Sequence, residues 1–359
     1  MLAAGQAAQR SSSGSADELL RKGVVARQNG DFLSAIEAFR AVLAIQPDRS
    51  EAHIDLGEAL SAAGRFDEAI EESERALASA PVKETVRMNL AMAYYKNGDL
   101  NHARREFEAV HAARPLDLSV ALLLGYTLNK LDRPSEAAAV LTPLEQGNES
   151  NMQLEYVLAY AQIQSGNVAE GLPRMEKVAR ATNSADAWVM AGSAHLNRGK
   201  MHDAQVDLEA AAKLNPALPR LNTMIGQACY ALGDIPAAVT AFRAALRTDP
   251  NDYDANVGLG VLQMKQGDYE SAKPLLELAL QLQPGIPLAR LEMAKYYNMT
   301  GKYTEAALIL EALSNAEPGW LDPHWELATA YLKLNRLEDA KRERAKAQQI
   351  KHTQQGEVK

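Results

Sequence analysis

The residue types that do acid–base or metal chemistry are sparse here and poorly spaced for it. Seven histidines occur (His53, His102, His111, His195, His202, His324 and His352), and no two stand at i, i+4, the interval that sets two metal ligands on one helix face. His195 and His202, the nearest pair, fall in different helical segments and read as surface or packing residues. The single cysteine, Cys229, excludes an internal disulfide framework and a cysteine-based zinc site. Its inward register reads as a buried, inert thiol. Glu71 and Glu72 are consecutive, so they do not share a helix face and cannot work as a catalytic pair. The chain carries no G-x-x-x-x-G-K-[ST], H-E-x-x-H or G-x-S-x-G, and Gly258-Leu259-Gly260 lies within a helical segment, not at a phosphate-binding turn. Neither catalytic residues, nor a cofactor, nor a metal is therefore expected. What recurs instead is contact chemistry: Met88, Met92 and Tyr95, then Leu122, Tyr126 and Asn129, then Tyr156, Tyr160 and Ile163, and further on Tyr230. Tyrosine offers broad contact at little entropy cost, methionine adapts its shape, and amides can hold a peptide backbone.

These residues share a register because the chain repeats. Pro47, Pro81 and Pro115 are 34 apart, as are Pro216, Pro250, Pro284 and Pro318. Gly30, Gly64 and Gly98 keep the same interval, Gly166 to Gly199 is 33, and Gly233, Gly267 and Gly301 resume at 34. One residue is therefore missing in the fifth unit. Alanine marks the same phase from Ala35 through Ala69, Ala103, Ala137, Ala204, Ala238, Ala272, Ala306 and Ala340, with Gly171 as the exception. Ten units start at Ala16, Ser50, Glu84, Leu118, Met152, Ala185, Pro219, Tyr253, Pro287 and Leu321 and cover residues 16–350. A length of 359 residues then means a string of short units with one continuous core, not the two or three domains that length alone suggests.

Each unit reads as two helices. In residues 219–252, Asn222, Ile225, Gly226 and Cys229 follow i, i+3, i+4, i+7, and Gly233-Asp234 stops that helix. Ile235, Ala238, Val239, Phe242 and Ala245 mark a second helix, which Asp249-Pro250 ends. Gly226 and Ala238 are small where the two helices cross, and Phe242, like Phe39 and Phe107, fills the space beside the crossing. The pattern resembles the tetratricopeptide repeat: Ala35-x3-Phe39, Ala103-x3-Phe107 and Ala238-x3-Phe242 match its second helix, and Trp188-x2-Ala191-Gly192 its opening. The resemblance implies an all-α fold, an α-α superhelix (a tetratricopeptide solenoid) of antiparallel helix pairs, with first helices lining a concave side. It also implies a non-catalytic scaffold or adaptor that binds a peptide or protein segment in that groove.

In each first helix, positions 4, 7, 8 and 11 face the partner helix, and positions 2, 5, 9 and 12 form the adjoining stripe. That stripe holds the ten contact residues named above and continues through Val189, Leu196, Thr223, Gln227, Val257, Val261, Met264, Asn298 and Trp325. In repeats 1–3 it carries Asp17, Leu20, Glu51, Ile54 and Glu58, which argues against the carboxylate clamp some relatives build there.

Departures from the pattern cluster in repeats 4 and 5. Repeat 4 lacks its turn glycine (Asp132-Arg133-Pro134) and its closing proline, and Pro143 should kink or end its second helix before the loop signal Gly147-Asn148. Pro173 and Pro274 fall near helix starts, where they are tolerated. These two repeats are read either as ordinary drift or as a joint or reshaped surface. Lys341, Arg342, Arg344 and Lys346 give the last repeat the polar outer face of a cap. Residues 1–15 are expected to be a disordered leader or the remnant of an export signal (Ala4–Gln9 looks like a cleavage region), and residues 351–359 a frayed tail. The compartment is left open between cytoplasmic and exported. The 38 basic and 46 acidic residues, a net charge of −8, argue against nucleic acid as the partner. No apolar run approaches the roughly 20 residues of a membrane span. A protein or peptide partner is expected and no small-molecule substrate. The alternative is a regulatory or accessory subunit of an enzyme or of an envelope or secretion assembly.

Overall fold

The computed structural model describes the backbone of residues 2–79 and 83–356, which leaves Pro81 outside the described residues. Among these residues there are twenty α-helices and no strand. Repeat 1 is α1 (Leu2–Gln28) with α2 (Phe32–Ile45), repeat 2 is α3 (Ser50–Ala62) with α4 (Phe66–Ser79), and repeat 3 is α5 (Lys83–Asn97) with α6 (Leu100–Ala113). Repeat 4 is α7 (Leu118–Lys130) with α8 (Pro134–Leu141), and repeat 5 is α9 (Met152–Gln164) with α10 (Val168–Thr182). The remaining repeats follow in order: α11 (Ala185–Asn197) with α12 (Met201–Leu214), α13 (Leu221–Leu232) with α14 (Ile235–Thr248), α15 (Tyr253–Lys265) with α16 (Tyr269–Leu282), α17 (Pro287–Met299) with α18 (Tyr303–Ala316), and α19 (Leu321–Lys333) with α20 (Leu337–Gly356). Each first helix packs on its own second helix, and each second helix on the next first helix of the same unit. The chain divides into two compact units, residues 1–182 and 183–359. The division falls where the period loses its residue, at Asn183, whose φ of 49° is left-handed.

The turns obey the sequence. Gly233, with φ of 81°, caps α13, and Asp234 opens α14 by accepting from the Ala237 N–H at 3.1 Å. Repeat 4 has no glycine at this turn, and Asp132 takes the left-handed conformation instead, with φ of 56°. Inside the pairs, Phe39, Phe107 and Phe242 are fully buried. A Cβ on Gly226 would lie 2.7 Å from the Phe242 ring, and one on Gly258 would lie 2.6 Å from it. One ring therefore fills the space left by glycines of two successive repeats. Gly171, the exception in the alanine series, lies at a close crossing: its Cβ would stand 2.8 Å from the Ala159 carbonyl oxygen, a main-chain atom with little room to move aside.

Pro143 ends α8 at Leu141, and a 3-10 turn over Thr142–Leu144 swings Leu144 into the core in place of another helical turn. Pro173 and Pro274 lie just inside α10 and α16 without stopping them. Both chain ends differ from the irregular backbone expected. α1 is helical from Leu2, carrying the alanine- and glutamine-rich leader as a continuation of the first helix, and α20 continues to Gly356. The side chains of the expected export remnant and residues 357–359 lie outside the described residues.

Candidate functional site in repeats 4 and 5

Two first helices build the site, and each is started by its own cap. Asp117 accepts from the Ser119 and Val120 N–H groups to begin α7, and Asn151 accepts from Gln153 and Leu154 at 3.0 Å each to begin α9. α7 and α9 lie directly against each other, as α17 and α19 do further along. Asn129, at the end of α7, donates to the Val157 carbonyl on α9 at 3.3 Å and pins the two helices together. Beside this bond opens a cleft of about 230 Å³, lined by Tyr126, Asn129, Lys130, Tyr156, Val157 and Tyr160. Its lining contains one cation and no carboxylate, on a chain whose net charge is −8.

The loop behind the cleft is held by ion pairs. Arg174 on α10 reaches Glu145 at 2.9 Å and Glu155 at 3.0 Å, while Lys177 donates to Glu155 at 2.6 Å and to the Glu149 carbonyl at 3.0 Å. Glu155 is almost wholly buried, so these charge-assisted bonds act where water screens them little.

The structure places four of the ten sequence-derived candidates, Tyr126, Asn129, Tyr156 and Tyr160, around this one cleft. Tyr95 is the next ring along, in repeat 3, with the Lys130 ammonium 4.9 Å from its centroid. Met88 and Met92 are half-buried against the core of repeats 3 and 4. Leu122 is a correction: at 6% exposure it belongs to the core with Leu144, Leu154 and Leu158 and has no surface to offer a partner. Ile163 is half-buried and turns toward Gly171 on its own second helix. Tyr230 lies in the second compact unit, where its hydroxyl accepts from Lys265 at 2.7 Å. Sequence reading missed Lys130 and Val157. Lys130 stands one residue off the stripe, and its charge was the available signal. Cys229 is 1% exposed, and burial pushes its thiol pKa up, which suppresses the thiolate.

These features define a class: an array of helical hairpins with a side-chain-lined cleft on its first helices. Tetratricopeptide repeat models match residues 26–84, 60–125 and 263–326, and a second set matches 156–219 and 223–287. The matches cover well over half of the chain, which belongs to the tetratricopeptide repeat family. They stop at residue 125 and resume at 156, leaving out the stretch with the shortened helix. A tetratricopeptide repeat protein from Parabacteroides merdae is similar in structure, with a TM-score of 0.51 at 19% identity over 70% of this chain and 99% of that one. One chain in the structure of the APC/C hetero-tetramer Cut9–Hcn1 is similar over 94% of this chain and 84% of that one, with a TM-score of 0.53 at 12% identity. At such identities the likeness is one of fold. No curated protein matches the chain in sequence. Among the described residues no helix is long and apolar enough to cross a membrane. Tetratricopeptide repeat proteins are generally non-catalytic scaffolds that bind proteins or peptides.

Proposed function

We propose that this chain is a non-catalytic interaction scaffold that binds a protein segment across the first helices of repeats 3–5. Tyr126, Tyr156 and Tyr160 are the anchors. The observation that carries this reading is the cleft itself: three tyrosines from two helices converge on a space the size of one large apolar side chain, beside a lysine and with no carboxylate in the lining. Aromatic side chains dominate binding energy at such places because they bury large area with few rotamers. Peptides selected from a display library on the full chain give the test. Changing Tyr126, Tyr156 and Tyr160 together to alanine should weaken the selected peptides by at least about 30-fold, the equivalent of ~2 kcal/mol. Trp325→Ala with Thr329→Ala, at the matching positions of repeat 10, should leave them bound. Helicity by circular dichroism should be unchanged in both. Peptides that bind the tyrosine variant as tightly as the parent place the partner surface elsewhere and defeat the proposal.

A further inference from the structure

Position 4 of the first helix, which sequence periodicity assigns to the partner helix, carries histidine in repeats 2 and 10. His53 is 8% exposed; its Nδ1 lies 2.6 Å from Glu72 Oε2 and its Nε2 lies 2.7 Å from the Pro47 carbonyl oxygen. His324 is 2% exposed and repeats the arrangement, with Nδ1 2.6 Å from Glu343 Oε2 and Nε2 3.1 Å from the Pro318 carbonyl oxygen. In both, the second carboxylate oxygen takes a cation three residues further on, Arg75 at 2.5 Å and Lys346 at 2.7 Å. Each cluster ties three segments: the proline after the preceding repeat's second helix, and both helices of its own repeat.

We propose that His53 and His324 are imidazolium cations whose second proton holds adjacent repeats together, so that its loss loosens the joints between repeats 1 and 2 and between repeats 9 and 10. A backbone carbonyl can only accept, so Nε2 must donate to it. An ionised carboxylate can only accept, so Nδ1 must donate as well. A neutral ring has one N–H and would turn a lone pair toward one of the two oxygens. In repeat 10 the carboxylate is the ionised member. Burial pushes the Glu343 pKa up, but the hydrogen bonds from Lys346 and His324 outweigh that effect and hold it below the ordinary range.

The same pair of positions is filled elsewhere by groups that keep their charge. Arg87 donates to Glu106 at 2.6 Å in repeat 3, and in repeat 5 the charges are exchanged, Arg174 donating to Glu155 at 3.0 Å. Only imidazole among these side chains changes charge near neutrality.

Apart from Asp48, the other charges named around each cluster are paired. On α3, Asp55 and Glu58 take Arg27 of α1, Asn89 of α5 also donates to Glu58, and Arg49 pairs with Asp17 of α1. On the α2 side, Arg40 pairs with Glu68 of α4, and Asp48 lines the cleft beside His53. Around α19, Glu292 and Lys295 of α17 pair with each other, Lys295 faces Asp322, and Ser314 and Asn315 of α18 are neutral. Open clefts of about 700 Å³ and 560 Å³ reach the two histidines and give protons a route in and out.

A clamp that needs both ring protons is intact while the imidazole carries them and broken once one is lost. The test uses the full chain at about pH 5.5 and about pH 8.5. Over that interval the wild-type Tm should fall by roughly 2–4 °C more than that of a variant carrying His53→Arg and His324→Arg, which keep the charge. A variant with His53→Gln and His324→Gln should be low at both pH values and equally insensitive. Nitrogen-edited NMR of the wild type should show both ring nitrogens of each histidine protonated at the lower pH. A neutral ring there, or one common pH dependence for all three proteins, overturns the proposal. If the glutamine variant fails to fold, the NMR measurement on the wild type decides.

Discussion

Asn129 and Asn298 stand 169 residues apart, five periods of 34 less the missing residue, and they make the same bond. Each ends a first helix and donates to a main-chain carbonyl of the next first helix, Val157 at 3.3 Å and Glu326 at 3.1 Å. Around this shared bond the two surfaces diverge. Where repeats 4 and 5 place Tyr126, Tyr156 and Tyr160, repeats 9 and 10 place Lys295, Trp325 and Thr329, and where the first has Val157 the second has Glu326. Lys295 donates to Glu292 at 2.8 Å and faces Asp322 at 3.9 Å, and Asn298 also reaches the Glu326 carboxylate at 2.9 Å. The second surface pairs its charged groups with one another. The first leaves tyrosine faces around an open cleft. The amide bond is thus framework, and positions 5 and 9 decide whether the framework carries a ligand surface or a closed ionic one.

Replacing Lys295 by tyrosine, its counterpart in repeat 4, should have the largest effect on this contrast, and it should be a loss. Glu292 is 7% exposed and would lose its cation, a cost of roughly 2 kcal/mol by the usual worth of a charge-assisted hydrogen bond. Burial pushes the Lys295 pKa down, but the hydrogen bond from Lys295 to Glu292 and the charges of Asp322 and Glu326 outweigh it and raise it overall. A raised lysine pKa contributes fully below its unfolded value, about 10.4, and is lost only as the pH climbs through the folded value. The deficit measured by urea unfolding should therefore be the same at about pH 6 and about pH 8, unlike that of the histidine clamps. A wild-type midpoint in the variant would mean that the ionic surface adds nothing and that the two regions differ in appearance alone.

The two amides can be compared directly. Asn298→Ala removes a bond to a carbonyl and one to a carboxylate, whereas Asn129→Ala removes a single longer bond, and each change also relieves a buried Oδ1 that has no donor. We expect a loss of about 1–2 kcal/mol for Asn298 and less than about 1 kcal/mol for Asn129 in denaturant unfolding. The reverse order would show that the tyrosine cleft depends on its amide more than the ionic surface does.

Much of this was legible in the sequence, for one reason: a period of 34 multiplies every weak signal by ten. Helix pairs, the crossing glycines and the stripe carrying Tyr126, Tyr156 and Tyr160 follow from it, and the end of α8 at Pro143 is legible as a break in it. Errors came where a residue serves its neighbours and not its period. Leu122 has the register of a groove residue, but the shortened α8 and the inward turn of Leu144 close over it. Position 4 does face the partner helix, but periodicity does not tell its chemistry: His53, Arg87, Glu155 and His324 sit there, and each finds a charged partner nineteen residues away. That pairing is a cross-helix contact, invisible to a helical wheel. Residues 1–15 read as a disordered leader or an export remnant, whereas the backbone from Leu2 onward continues the first helix of repeat 1.

Lys130 offers the finest distinction between the two regions, because its counterpart in repeat 9 is the exposed, uncharged Met299. Its ammonium rests 4.9 Å from the Tyr95 centroid, on the rim of the cleft. A cation over an exposed ring is worth about 0.5–1 kcal/mol. If a bound segment meets Lys130 with a carboxylate, Lys130→Ala should weaken a selected peptide by about two- to five-fold, and the wild-type affinity should fall as salt is raised while the variant's stays level. If the tyrosines supply all the recognition, Lys130→Ala should change neither affinity nor salt response, and the charge is then only the ordinary lysine at a helix C-terminus. Titration calorimetry on both proteins at low and high salt separates the two. The result also tells whether the bareness of this cleft, with no carboxylate of its own, selects acidic segments or simply leaves room for apolar ones.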